Sequence, residues 1–401
     1  MSRIADHSLI AALSGRVLAQ SAAIERTRVG VLDCFADQDT RRYAATCVRV
    51  AGTVDGGVMR FDTTALLATA ADLFPASQWP CLVYGAGFEP CPDTLEQLAE
   101  QRELLGNEPD VLRRITDPVR FFALLDELAI PHPSVRTDRP ADPDGWLAKR
   151  VGASGGAHVA AAGTVREQSG CYYQRQVAGE LVSVLFVANG RDIAVIGFNS
   201  LFTAGRVGSN RNAYGGAISR MPVGRQLRAA VMDMLQGLQE RLHLRGLNGV
   251  DLIVTDTGPV VLELNARPTA TVDLYDRGSK TGLLQQHIEA CRGGTLRRQS
   301  TTGPMWAHAV VRANHAVRIS QPVQWPSWCS DIPADLTEFQ SGEPICTVLA
   351  VSDGLGRSRQ RLSERSGRVL RALACGGGAR AWRRAPAHLA RSGVAPAVGA
   401  L

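Results

Sequence analysis

Within residues 260–276, VVLELNARPTATVDLYD, a carboxylate, an amide and a guanidinium recur two positions apart as Glu263, Asn265 and Arg267. Alternate side chains of a β-strand point to opposite faces. These three therefore share one face, and Val260, Leu262 and Leu264 are expected on the other, against the core. Upstream, Asp251 sits in NGVDLIV, and TDTG joins the two runs as a hairpin. Opposed residues of antiparallel neighbours lie about 4.5–5.5 Å apart at Cβ, so Asp251 can join Glu263 and Asn265 around one cation. Hard oxygen donors on a rigid hairpin suit Mg²⁺, which takes a few carboxylates and fills its shell with substrate phosphates. Arg267 would reach the same place, where a bidentate cation suits a phosphate or carboxylate during group transfer. A lone E-x-N is most simply a polar strand facing solvent. Asp251, Arg267 and a glycine-rich loop upstream favour a site.

That loop follows Lys149 in LAKRVGASGGAHV. Gly152, Ser154, Gly155 and Gly156 make a flexible segment whose N–H groups can approach phosphate oxygens, and Lys149 can neutralise their charge. The P-loop spacing is absent, and a G-x-S-G-G run alone is more often a plain turn. In YYQRQVAGELVSV, a strand edge can offer backbone groups to a heterocyclic base, with Gln174 and Glu180 adding side-chain bonds. By itself this is an ordinary strand. His132 and His158 are acid–base candidates; a structural or exposed histidine is the simpler reading of each, and His158, beside the loop, is the better placed.

Several elements must position these groups. Residues 8–33 read as strand, glycine turn, helix and strand, the opening of an open α/β sheet. The G-x-G-x-x-G fingerprint is missing, which argues against a dinucleotide site there. QWPCLVYGAGFE is a buried strand, and CPDTLEQLAEQRELLGN reads as one helix stopping before Gly106. TDPVRFFALLDELAIPHP is a second helix, with Thr116 or Asp117 as its cap. Residues 171–202 read as short strands turning at Ala178-Gly179 and Asn189-Gly190, and VGRQLRAAVMDMLQGLQERLHLRG as an amphipathic helix. MWAHAVVRA and PICTVLAVSD are late strand candidates, and SERSGRVLRALA a late helix.

Composition bounds the rest. The 401 residues suffice for two or three units, each with its own core. A 45% hydrophobic and 20% charged chain without a run of about 18 apolar residues does not read as a membrane protein. Asp6 and the Ser14-Gly15-Arg16 interruption argue against a secretory signal. Nine cysteines without a C-x-x-C pair support neither a disulfide framework nor a zinc site, so a cytoplasmic protein is expected. The net charge of +6 comes from the end of the chain: from Arg357 onward there are many arginines and one acid, Glu364. Residues 377–401 are expected to be a disordered basic tail. Without aromatic–basic interleaving, nucleic acid is not an expected partner.

In this order, the strand lysine with its glycine loop, the base-binding strand and the D…E-x-N-x-R hairpin resemble the ATP-grasp superfamily over about residues 110–275. YGAGFE, LLGN, YGGAISRMP and GEPICTVLA are similar to its predicted carboligase branch, related to biotin carboxylase. The resemblance implies an α/β chain with α+β lobes: a Rossmann-like pre-ATP-grasp domain at 1–110, a two-lobed ATP-grasp domain at 111–295, and a small β-rich domain at 296–376. It implies ATP and Mg²⁺ (or Mn²⁺) as cofactors, the metal on Asp251, Glu263 and Asn265. Lys149, Ser154, Gly155, Gly156, His158, Gln174, Val177, Glu180 and Leu262 would contact the nucleotide, and Lys149 and Arg267 would serve catalysis. The implied reaction makes an acylphosphate from a small carboxylate and passes it to a small amine, releasing ADP and phosphate. Glutamyl ligation in pterin or furan cofactor biosynthesis is one version; a homodimer is compatible. The alternatives are a bicarbonate-using carboxylase and a non-catalytic ATP-binding protein. Two departures stand out: Asp117-Pro118 replaces an Asp-Lys pair, leaving Arg120 as the nearby cation, and GELVS moves Glu180 one place from the G-x-E spacing.

Overall fold

Apolar runs flanked by a glycine turn build the first sheet, in which strands His7–Ala12 and Arg28–Asp33 pair in parallel with helix Arg16–Ile24 crossing between them. The full order is Thr46–Arg49, Arg28–Asp33, His7–Ala12, Cys81–Tyr84, Glu103–Leu105. Chain order reverses between His7–Ala12 and Cys81–Tyr84. The carboxyl ends of those two strands therefore flank the crevice where open α/β sheets take ligands. The computed structural model describes residues 7–55, 58–165, 170–205, 211–297 and 303–374. The basic stretch expected at 377–401 lies outside them.

One expected helix is shorter than its pattern. Pro92–Ala99 is helical, but Glu103–Leu105 is an edge strand, with Cys81 opposite Glu103 and Val83 opposite Leu105. Leu105 becomes 1% exposed in that register. Burial against a sheet formed far upstream overrides the helical reading of the run.

Two antiparallel sheets follow. The smaller has the order Ala160–Ala161, Trp146–Arg150, Cys171–Arg175, Val135–Arg136. The larger has eight strands: Gly258–Asn265, Arg245–Thr255, Glu180–Asn189, Ile193–Thr203, Tyr214–Ile218, Met305–Arg312, Pro344–Ser352 and Cys329–Ser330. The turn at Ala178-Gly179 thus closes no hairpin. The strands on its two sides belong to different sheets, and it is the link between lobes. Gly179, at φ +155°, crosses so close to Val254 that a Cβ would lie 2.5 Å from its carbonyl oxygen. Of the late strands, Met305–Arg312 pairs with Tyr214–Ile218 and, with Pro344–Ser352, extends the larger sheet, while Val317–Arg318 and Glu338–Phe339 pair as a small sheet of their own.

Helix Arg225–Leu242 buries Val231, Leu235, Leu238 and Leu242 in the core that includes Val184, Phe186, Val250, Leu252, Val261 and Leu264. Cutting a buried leucine such as Leu238 to alanine typically costs about 2–5 kcal/mol. That packing holds the back of the hairpin still. Asp117 caps helix Pro118–Glu127, accepting from the N–H groups of Val119 and Arg120 at 2.9 and 3.2 Å. The eight cysteines among the described residues are free. Among the same residues no helix is long and apolar enough to cross a membrane.

Candidate active site

Asp251 and Glu263 stand directly opposite each other across the hairpin. Between this pair and the pair Leu252–Val261 the register shifts, leaving Leu262 as the extra residue of a β-bulge. The bulge changes the phase of the strand. Val261 and Leu264 face the core, at 0 and 7% exposure, whereas Val260 and Leu262 are only partly buried. Of the three residues expected on the core face, only Leu264 is there, and Leu262 is released from the core.

Asn265 bridges the two acids. Its Nδ2 donates to Asp251 Oδ2 at 3.4 Å and to Glu263 Oε1 at 3.3 Å, and its Oδ1 accepts from Arg267 Nη2 at 3.1 Å. Arg267 also forms an ion pair, through Nε, with Glu89. Glu89 is fixed in turn by the N–H of Gly87, 2.8 Å from its Oε2. The loop after Cys81–Tyr84 in the first sheet thereby reaches the hairpin.

Lys149, 7% exposed, comes from the smaller sheet, opposite Tyr172. Burial lowers its pKa, while Glu263 and Asp251 pull it back up. Burial pushes the Asp251 carboxyl well above its usual range, and Glu263 adds to this against Ser183 and Arg267. Burial pushes Glu263 the same way, but Lys149, Asp251, Asn265 and His158 outweigh it and hold it low. The two carboxyls titrate as a pair, with Glu263 the more readily ionised of the two. His158 is pushed down to about 4 by burial, with Lys149 adding and Glu263 opposing, and its Nδ1 is buried without a hydrogen-bond partner.

The glycine loop is anchored over the site. Gly155 O accepts from Tyr214 N at 2.9 Å, and Asn212 Nδ2 donates to Val159 O at 3.0 Å. Gly156, at φ +71°, leaves room for Asn212, whose carbonyl oxygen would be 2.2 Å from a Cβ there. Ser154 lies between these glycines and Gly152, whose Cβ would meet Pro90 at 3.0 Å. Gln174 is 1% exposed with Nε2 unpartnered; Val177 is half-buried and Glu180 exposed, on the link between the sheets. Two other candidates lie apart: His132 is engaged by Asp126 and the Pro133 carbonyl, and Arg120 pairs at 3.6 Å with Asp117 on an exposed face.

The donor set fits a hard divalent cation. Two partly buried carboxylates face each other with Asn265 between them, its Nδ2 toward the acids and its Oδ1 on Arg267, and a lysine is an electrostatic neighbour of both. Among the described residues no three His, Cys, Asp or Glu side chains gather as a metal cluster. Two carboxylates and an amide suit a metal that shares its coordination with phosphates.

Residues 115–271 match the model of the ATP-grasp domain. An ATP-grasp domain is what this stretch of the chain is similar to. No curated protein matches the chain in sequence, but solved structures superpose on nearly the whole of it. N5-carboxyaminoimidazole ribonucleotide synthetase from Thermotoga maritima does so with a TM-score of 0.63 at 14% identity, over 90% of this chain and 98% of its own. L-amino acid ligase from Bacillus licheniformis gives 0.66 at 12%, over 90 and 97%. The biotin carboxylase domain of Hydrogenobacter thermophilus 2-oxoglutarate carboxylase, in complex with MgADP and bicarbonate, gives 0.68 at 10%, over 93 and 94%. The likeness in fold takes in the first sheet and the late strands as well as residues 115–271.

Sequence reasoning missed Glu89, Ser183, Tyr172 and Tyr214. Glu89 had a signal, an acid just after Gly85 and Gly87 at the carboxyl end of a strand. The other three lie in ordinary strand patterns.

Proposed function

We propose that this ATP-grasp protein is a ligase that phosphorylates a substrate carboxylate with ATP and joins the acyl group to an amine. In the first step a carboxylate oxygen attacks the γ-phosphorus, the bond to the β-phosphate oxygen breaks, and ADP leaves. In the second the amine attacks the acyl carbon, the bond to the phosphate oxygen breaks, and phosphate leaves as the amine loses a proton. Such catalysis is mostly positioning and charge neutralisation. No serine or cysteine nucleophile is needed.

The observation that carries this reading is the opposed pair Asp251–Glu263, bridged by Asn265 and flanked by Lys149 and Arg267. Asp251, Glu263 and Asn265 would hold Mg²⁺, or Mn²⁺, which neutralises phosphate charge when bound. Lys149 and the N–H groups around Ser154, Gly155 and Gly156 would hold the phosphates, with His158 as a neutral neighbour. Gln174 and Val177 would meet the adenine, with Leu262 and Glu180 toward the base and ribose. Arg267 would stabilise the transferring phosphoryl group.

Bicarbonate also offers an anionic oxygen to the γ-phosphorus, and one neighbouring structure holds it with MgADP. Here Arg267 is followed by Pro268-Thr269-Ala270-Thr271 rather than the Q-V-E-H-like run of biotin carboxylases, which favours an organic carboxylate. Glutamyl transfer to a pterin or furan carrier is one substrate pair within the proposal.

The test is ADP and phosphate release from MgATP with pooled amino acids and small carboxylates, and separately with bicarbonate. Stimulation by the organic pool, lost in Glu263→Gln, is expected. Stimulation by bicarbonate alone would shift the reading to a carboxylase, and AMP with pyrophosphate would overturn the acylphosphate.

A further inference from the structure

Away from the metal hairpin, Arg191, Arg245 and Arg292 line one pocket of about 390 Å³, with Asn189, Gly190 and Gly293 completing its wall. That volume is in the range of small-molecule sites. No lining residue carries an acidic or a large apolar side chain. The arginines come from three separate parts of the chain. Arg191 lies in the turn between strands Glu180–Asn189 and Ile193–Thr203, Arg245 opens strand Arg245–Thr255, and Arg292 follows helix Leu283–Cys291.

Hydrogen bonds between these segments fix the shape of the pocket. Gly190 N donates to Leu244 O at 2.8 Å, and Asn189 Nδ2 to Gly294 O at 3.1 Å. Asn189 Oδ1 accepts from the N–H groups of Arg191 and Asp192 at 3.1 and 2.8 Å, which sets the turn. Arg245 donates from its backbone N–H to Asn107 Oδ1 and from Nη1 to Cys291 O, both at 2.8 Å. Gly190, at φ +90°, lies against that guanidinium, where a Cβ would come within 3.6 Å of Arg245 Cζ. A larger side chain at this position would take up the space beside Arg245.

The positive charge of the pocket is only partly used. Arg292 gives Nε, at 2.7 Å, and Nη2 to the two oxygens of Glu103. Arg245 commits Nη1 to Cys291, which leaves Nε and Nη2. The Arg191 guanidinium, exposed on its turn, has no hydrogen bond or ion pair among the described residues. Three guanidiniums thus face one carboxylate, and free N–H groups from three walls open on the same space. A planar carboxylate takes one arginine fork, as Glu103 does on Arg292. Donors arriving from several sides suit the oxygens of a phosphate.

We infer that this pocket binds the phosphate group of a small molecule, or free phosphate, at a site separate from the metal hairpin. Arg245 lies six positions before Asp251 on the same strand, a separation of about 20 Å at about 3.3 Å per residue. The inference is independent of the ligase reading: a protein that turned over no ATP would keep this site.

The test is calorimetric titration at low ionic strength, where such contacts are least screened, with inorganic phosphate, glycerol 3-phosphate and acetate as probes. Wild type is expected to bind one or both phosphates saturably and acetate at least about tenfold more weakly. Tighter binding of glycerol 3-phosphate would identify the ligand as a phosphate ester, and tighter binding of inorganic phosphate as the free ion. Arg191→Gln should weaken phosphate binding by about tenfold, the order expected for hydrogen bonds between charged groups. It should melt as wild type does, because its side chain bonds nothing in the fold. Glu103→Gln, which releases Arg292, should tighten binding severalfold. Lys149→Gln separates this site from phosphate held at the active centre and should leave the affinity unchanged. No saturable phosphate binding, acetate binding as tight as phosphate, an unchanged affinity in Arg191→Gln, no gain in Glu103→Gln, or binding lost in Lys149→Gln would each overturn the inference.

Discussion

Arg267 on the hairpin and Glu89 at the edge of the first sheet, 178 residues apart in sequence, form an ion pair with side chains only 11 and 14% exposed. The pair aims the guanidinium, whose Nη2 then reaches Asn265. The α/β unit thus does more than precede the ATP-grasp domain: one of its loops sets the orientation of the cation expected to meet the phosphoryl group.

Glu89→Gln is expected to lower kcat by about tenfold or more, because a loosened cation stabilises the transition state less well. Breaking a buried pair from one side costs up to about 3–5 kcal/mol. Partial exposure here puts the stability loss nearer ~2 kcal/mol. Chemical denaturation and steady-state ADP release measure the two effects. Full activity in Glu89→Gln would show that Arg267 needs no such guide.

The glycine loop supplies an internal control. Gly155 and Gly156 have nearly the same backbone, φ +75° and +71°, but nothing lies within 4 Å of a Cβ at Gly155, whereas at Gly156 the Asn212 carbonyl oxygen would be 2.2 Å away. Alanine at either position carries a similar backbone penalty of about 1 kcal/mol. Only Gly156→Ala must also displace the loop from Asn212 and Tyr214. It should raise the KM for ATP by about tenfold relative to Gly155→Ala. Equal KM values in the two variants would mean that the anchored loop does not govern nucleotide binding.

Asp276 gives stability a pH dependence. Burial pushes its carboxyl up to about 7, with Asp273 adding, against the Ser21 side chain and the Leu283 N–H. The unfolded value is about 3.9. Between these two values the native state keeps a proton that the unfolded state has lost, so the stabilisation is complete below about pH 4 and falls as pH rises toward 7. The slope approaches about 1.4 kcal/mol per pH unit within that window. In denaturation series from about pH 5 to 8, wild type should lose stability relative to Asp276→Asn up to about pH 7 and then run parallel to it. Parallel curves throughout would refute the assignment.

The parts of this site legible in the sequence were those set by local pattern. Two-residue periodicity and a short turn put Asp251 opposite Glu263, and Asp117 before Pro118 marked a helix start that the structure keeps. What stayed hidden depends on pairing between distant segments. The bulge at Leu262 breaks the period with no marker residue, so Val261 rather than Val260 joins the core. Glu103–Leu105 becomes a strand because Cys81–Tyr84 is there to receive it. Cys171–Arg175 and Glu180–Asn189 look like a hairpin, yet each finds partners in a different sheet. Glu89 could be noticed as an acid after glycines, but its partner could not be named until the loop and the hairpin were brought together.

The central claim is that Asp251 and Glu263 hold the metal of a metal–nucleotide complex, and it can be tested without knowing either substrate. Mn²⁺ binding would be followed by electron paramagnetic resonance, with and without a non-hydrolysable ATP analogue, in wild type, Asp251→Asn and Glu263→Gln. Wild type is predicted to bind Mn²⁺ tightly only with the nucleotide. Each variant should lose that binding by about tenfold or more while melting close to wild type, consistent with a donor set completed by phosphates. Nucleotide-dependent Mn²⁺ binding that survives in both variants would contradict the account and place the metal elsewhere.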